Sequence, residues 1–221
     1  NGIIIQTNSD GSAPGTGTLN GATGILGIGE NVFAALTSGD DSIALGNNAL
    51  AAMTSGSKNI AIGPNTLDAI TDETNNVAVG YNAMTGSISG GEKNSVVGNY
   101  AGTAITSGDN SCFFGYQAGT ATTTGESNNA FGYQALYTAN GAANLNNAFG
   151  KDALRVVSQG DNNSAFGHGA GESITTGSNN SCWGYNTQAS AADVSNEITL
   201  GDSSIDALRC ADQSIAALSD G

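Results

Sequence analysis

Three cysteines, a single histidine and a scatter of carboxylates are the residues of this sequence equipped for covalent, acid–base or metal chemistry. Their spacing points away from each. Cys112, Cys182 and Cys210 lack the C-x-x-C pairing of a structural zinc site and are odd in number. His168 stands alone, with no nearby partner in sequence to make a triad or a metal centre, and reads as a surface residue. The acidic residues, among them Asp40-Asp41, Asp72-Glu73, Asp161 and Asp202, follow neither the G-G-x-G-x-D pattern of calcium-binding β-rolls nor an EF-hand loop. They sit in turn-like sequence, where nothing fixes the carboxylate separation that glycoside hydrolysis requires. The expectation is a chain with no catalytic residue, no cofactor and no metal site.

Two other residue types recur at regular intervals. Threonine stands at Thr37, Thr54, Thr71, Thr106, Thr123 and Thr175, an arrangement that could form an ice-binding face, although alanine fills the place two residues before most of them. Tyrosine stands at Tyr81, Tyr116, Tyr133 and Tyr185, and His168 takes the equivalent place in its own interval. That column is either a receptor-binding stripe or packing between successive turns.

Composition narrows the class. The 221 residues include 19 Asp and Glu against 5 Lys and Arg, a net charge of −14. Five basic residues cannot build the patch that binds nucleic acid or an anionic membrane. No apolar run approaches the ~20 residues of a membrane-spanning helix. The N-terminus lacks the regions of a signal peptide. Glycine, at 33 residues, is about twice its usual share, while proline is only 2 and excludes collagen. Apolar residues make up 38%, so a folded chain must bury them by repetition.

Repetition is what the sequence shows. A glycine preceded by a large apolar residue recurs at Gly29, Gly46, Gly63, Gly80, Gly98, Gly115, Gly132, Gly150, Gly167, Gly184 and Gly201, in steps of 17 or 18. The preceding column runs Ile28, Leu45, Ile62, Val79, Val97, Phe114, Phe131, Phe149, Phe166, Trp183, Leu200. One position earlier stand small residues such as Ala44, Ala61, Ala78, Ala130, Ala148 and Ala165. Alternate residues of a strand point to opposite faces, so this pattern predicts a short strand, bulky on one side and small on the other, with both sides packed. The alanines either face a neighbouring chain or fit a tight interior. A further apolar column at Leu36, Met53, Ile70, Ile105, Val157, Ile174 and Leu208 predicts a second short strand. Asn59, Asn76, Asn94, Asn128, Asn146, Asn163 and Asn180, four residues before their glycines, mark turns and are placed to bond one another along the stack.

Seventeen residues are too few for a helical repeat or a propeller blade, and they suit one coil of a parallel β-solenoid. The predicted class is therefore all-β, a parallel β-solenoid or β-roll of ~17-residue coils. At ~4.8 Å per coil, eleven coils make a rod of about 50 Å. Cys112 and Cys182 then lie four coils apart, roughly 19 Å, beyond the ~7 Å reach of a disulfide. A solenoid core of three or four apolar residues per coil is thin, which predicts a homo-oligomer.

The stretches Asn76-Val77-Ala78-Val79-Gly80-Tyr81-Asn82-Ala83, Asn94-Ser95-Val96-Val97-Gly98 and Asn163-Ser164-Ala165-Phe166-Gly167 resemble the head repeats of trimeric autotransporter adhesins. The resemblance covers about Leu26 to Leu200 and implies a homotrimer of left-handed parallel β-rolls. The segment Ile198-Thr199-Leu200-Gly201-Asp202-Ser203-Ser204-Ile205, with Leu208-Arg209-Cys210 and Ile215 to Gly221, is similar to the stretch before the intramolecular chaperone domain of endosialidase-type phage tail spikes and fibres. That likeness implies a self-processing junction at Ser219 and Asp220, a plain terminal turn being the other reading. The lysine partner of that family has no counterpart here, so the likeness assigns no catalytic residue.

These features predict three regions. Residues 1–24 form a joint or irregular first coil, residues 25–201 the solenoid shaft, and residues 202–221 a trimeric segment, helical or extended, leading to a chaperone domain. The expected function is that of a non-enzymatic shaft or tip segment of a phage tail fibre or spike, extracellular on the virion and engaged in host attachment. Its expected partners are its own copies, other fibre or baseplate proteins and a host-surface receptor or glycan, with no nucleic acid and no membrane insertion. The head of a bacterial trimeric surface adhesin is the alternative, and would continue into a coiled-coil stalk and membrane anchor.

Overall fold

A computed structural model describes residues 3–5, 22–86, 89–139 and 142–206. Twelve three-residue strands lie in one parallel sheet in the order of the sequence. They are β1 (Ile3–Ile5), β2 (Leu26–Ile28), β3 (Ile43–Leu45), β4 (Ile60–Ile62), β5 (Val77–Val79), β6 (Ser95–Val97), β7 (Cys112–Phe114), β8 (Asn129–Phe131), β9 (Asn147–Phe149), β10 (Ser164–Phe166), β11 (Ser181–Trp183) and β12 (Ile198–Leu200). The seventeen-residue period becomes register: Ala44 pairs with Ala61, Ala61 with Ala78, Phe131 with Phe149. The fold is the expected all-β parallel solenoid, one coil per repeat.

Strands are short because both ends are forced to turn. Residues just before them, including Asp41, Lys58, Asn75, Lys93 and Asn110, hold φ between 54 and 62°. The glycine after each of β2 to β12 is also in the positive region, as at Gly115 (φ 140°). A Cβ built on Gly115 would collide with the carbonyl oxygen of Gly132 in the next coil, so the stacked backbones approach closely enough to exclude any side chain.

Among the described residues the expected second strand does not form. Leu50, Leu67, Leu136 and Leu154 adopt φ of 47 to 52°, which bends the chain out of extended conformation. Met53 N–H then bonds the Leu50 carbonyl, closing a turn where the strand was expected. Leu36, Met53, Ile70, Ile105, Val157 and Ile174 are buried all the same, as the floor of the core; Leu208 lies outside the described residues. Left-handed leucines are costly backbone, and burial of their side chains offsets the strain.

The two strand faces sort in one of the two ways that the sequence left open. Ala44, Ala61, Ala78, Ala130, Ala148 and Ala165 are completely buried inside the coil, so they do not face a neighbouring chain. They are small because the opposite side of the coil fills the same space. Where that side is small instead, the strand carries bulk: Phe113 takes the alanine position, and a Cβ on Gly119 would meet its ring at 2.5 Å. Gly27 reverses the exchange, with Phe33 filling the gap from across the coil. The bulky column, expected to be packed, faces outward.

Candidate functional site

Each of β2 to β12 turns its first and third residues outward. In β2 to β5 both are aliphatic, Leu26 and Ile28 through Val77 and Val79. From β6 to β11 the first position becomes Ser95, Cys112, Asn129, Asn147, Ser164 and Ser181, while the third is aromatic from Phe114 to Trp183; β12 returns to Ile198 and Leu200. Phe114, Phe131, Phe149 and Phe166 stack at centroid separations of 4.8 to 5.3 Å with ring planes within 5°. Trp183 ends the column, turned 89° to Phe166. These side chains remain in contact with solvent, Phe166 at 43% and Trp183 at 53%.

Past the glycine corner runs the tyrosine column, and it is both exposed and packed. Tyr100 bridges Tyr81 and Tyr116 edge to face, and Tyr116 stacks on Tyr133 at 5.5 Å. Lys151 lies 5.7 Å over Tyr133 and His168 packs edge-on against Tyr185. His168 is exposed as expected, yet it has the neighbour that its sequence surroundings did not show: its Nε2 is 4.0 Å from Asp152 Oδ2. Asp152 also meets Lys151 and Arg155, at 3.5 and 3.7 Å. Exposed pairs of this kind contribute little to stability.

Polar ladders hold the coils together on the remaining sides. Asn146 shows the unit: its N–H donates to Asn128 Oδ1 (3.0 Å), its Nδ2 to the Gly160 carbonyl (2.9 Å), and its Oδ1 accepts the Asn163 N–H (2.9 Å). The expected asparagine stack along the axis is thus present and buried. At coils without asparagine, Ser42 and Ser111 accept the next coil's N–H through Oγ.

The carboxylates have a role that counting charges did not suggest. Asp40, Asp109 and Asp161, six residues before their glycines, each accept the backbone N–H of the preceding coil, from Thr23, Glu92 and Asn144 at 2.7 Å. Ser57, Ser178 and Ser195 fill the same place in other coils. The sign was in the sequence, as a column of short acceptors in phase with the glycine, and it was masked by reading Asp and Glu as charge alone.

Threonine hydroxyls are likewise spent inside the stack. Thr37, Thr54, Thr106 and Thr175 donate Oγ1–H to the carbonyl one coil on, at 2.8 to 3.2 Å, which removes the free hydroxyl array that an ice-binding face needs. Cys112, half-buried on β7, and Cys182, buried on β11, are free thiols separated by β8 to β10. Burial raises the pKa of both, so neither is activated as a nucleophile. Cys210, Ser219 and Asp220 lie outside the described residues.

Among the described residues no group of three or more His, Cys, Asp or Glu side chains is gathered to hold a metal ion, and no helix is long and apolar enough to cross a membrane. The feature that stands out is the long uncharged strip on the outer face of the sheet. Comparison of the chain with family models, curated proteins and solved structures gives no match.

Proposed function

We propose that this chain is a structural segment of a homotrimeric fibre, the shaft or tip of a phage tail fibre or spike, working outside the cell in host attachment and without enzymatic activity. The observation that carries the reading is the outer strip of β2 to β10. None of its eighteen outward residues is charged, in a chain of net charge −14. Nine coils at ~4.8 Å by a strip roughly 10 Å wide give on the order of 400 Å² of uncharged surface, the size of the largest patch on a typical monomer, which is often functional.

The strip suits copies of itself. Its rise per coil is matched at every step only by an identical solenoid, and its two halves differ. Parallel, in-register packing around a common axis sets Ile and Val against Ile and Val, Phe against Phe, and Asn129 and Asn147 against their own equivalents. An antiparallel arrangement sets the aliphatic coils against Ser and Asn. The acidic columns on the other sides keep separate fibres apart.

Phe149→Glu tests this reading. Its side chain points out of the coil, so the variant folds with the same far-ultraviolet dichroism as the parent, and three charges meeting at one height dissociate the assembly. Retention of the parent's assembled mass by Phe149→Glu removes the strip from the interface.

A further inference from the structure

The outer strip changes character where the phenylalanine stack ends. At β11 and β12, between the aromatic column before the glycine corner and the one after it, Gly184 and Gly201 line a groove of about 390 Å³, with the Ile205 side chain packed on Gly201. That volume is within the ~300–1,000 Å³ range of ligand pockets. Trp183 and Leu200 form one wall, Tyr185 and Asp202 the other, and Ser204 and Ile205 close the end.

Its two aromatic rings differ from those above them. Phe131 and Phe149 each lie between parallel rings, which cover their faces. Trp183 is turned across the end of that stack and is followed by Leu200, while Tyr185, 62% exposed, is turned 74° from His168 and followed by Asp202. Neither ring is sandwiched. Their electron-rich faces suit weakly positive C–H groups.

Beside them stands an oriented carboxylate. Asp202 Oδ1 accepts both the backbone N–H (3.0 Å) and the hydroxyl of Ser204. These bonds hold its pKa below the ordinary 3.8, so it is ionised at neutral pH. Oδ2 makes no hydrogen bond among the described residues and is left to accept from a ligand. A ligand with an apolar C–H face on one side and hydroxyl donors at its edge is a pyranose. A second anionic group would be repelled by Asp202 and by the net charge of −14.

We propose that this groove binds one or two units of a neutral glycan, the sugar's C–H face against Trp183 and Tyr185 and a hydroxyl pair on Asp202. The site rests on the reading of the chain as an attachment protein and gives that reading a ligand class. Trp183 and Leu200 continue the outward column past the β2 to β10 strip assigned to self-association, so the groove stands at the end of that face.

The test is saturation-transfer NMR and calorimetry on the assembled protein. The probes are neutral hexasaccharides of glucose, galactose, mannose and N-acetylglucosamine, with a uronic acid hexasaccharide for comparison. At least one neutral probe is expected to bind, with affinity falling about tenfold or more in Trp183→Ala and severalfold in Asp202→Asn, and unchanged in Tyr81→Ala. Trp183 is more than half exposed, so its variant retains the parent's melting curve. Failure of every neutral probe, binding of the acidic probe alone, or binding indifferent to Trp183→Ala overturns the proposal. Light scattering on the same samples separates this from the fibre reading: a trimer without sugar binding sinks the groove alone, and a monomer that binds sugar sinks the fibre alone.

Discussion

Asn146 is the clearest case of one residue holding three coils together. Its side chain accepts from Asn163 and donates to Gly160, and replacing it by Ala strands a buried N–H and a buried carbonyl. Asn146→Ala is therefore expected to cost about 2–4 kcal/mol in urea denaturation. Asn146→Ser should recover about half of that, because Ser111 already shows a hydroxyl taking the acceptor role. An equal loss in both variants contradicts the ladder. Asp68 is the opposite case, a carboxylate with Oδ1 buried and unbonded, in the column where Ala51 and Thr85 stand. Burial raises its pKa, so the folded state pays for the ionised form above that pKa and is relieved as pH falls below the ordinary 3.8. Asp68→Ala should stabilise by about 1 kcal/mol at pH 7, with the gain vanishing near pH 3 in paired thermal melts. The asparagine column was legible in the sequence because it keeps phase with the glycines. Asp68 was not, since only the position of its neighbours shows that this column is half-buried.

At the scale of one coil, the backbone corners decide the architecture. The strand before each glycine could be read from its bulky-small alternation, whereas the second strand could not be rejected from sequence. Leu50, Leu67 and Leu136 are good strand residues, and only tertiary burial explains their left-handed backbone. Volume is conserved within a coil, which yields a double-mutant prediction. Phe113→Ala should cost about 3–5 kcal/mol, and Gly119→Leu alone should also destabilise, its side chain colliding with the ring. Together they should recover at least half the loss, since Leu136 holds the same left-handed position one coil on. Additive losses in chemical denaturation contradict the exchange. The last coils carry a pH dependence of their own. Glu197 is held below the ordinary 4.5 first by the Ser190 hydroxyl, then by Thr199 and the Ser190 N–H. A lowered pKa stabilises above the ordinary value and is lost as pH falls through the folded one. The emission of Trp183, the sole tryptophan, should therefore shift on acidification below about pH 4.5, and Glu197→Gln should show the shifted emission already at pH 7. Emission indifferent to both changes denies the carboxylate its part in closing that coil.

For the whole molecule, the period in the sequence foretold the rod, its parallel register and the separation of Cys112 from Cys182. The face turned outward could not be read from the same period. A strand with alanine on one side and phenylalanine on the other invites the large residues into the core, yet Leu50, Leu67, Leu136 and Leu154 already fill the coil from the opposite side and leave room there only for alanine. Exposure of the large strand residues leaves an uncharged strip along nine coils, and the proposed self-association rests on that strip. The direct measurement is the mass of the purified chain in solution by light scattering, with and without reductant. A particle of three chains in both conditions is the predicted result, assembled through the strip with Cys112 and Cys182 as bystanders. A single-chain mass of 21.8 kDa at micromolar concentration would contradict it.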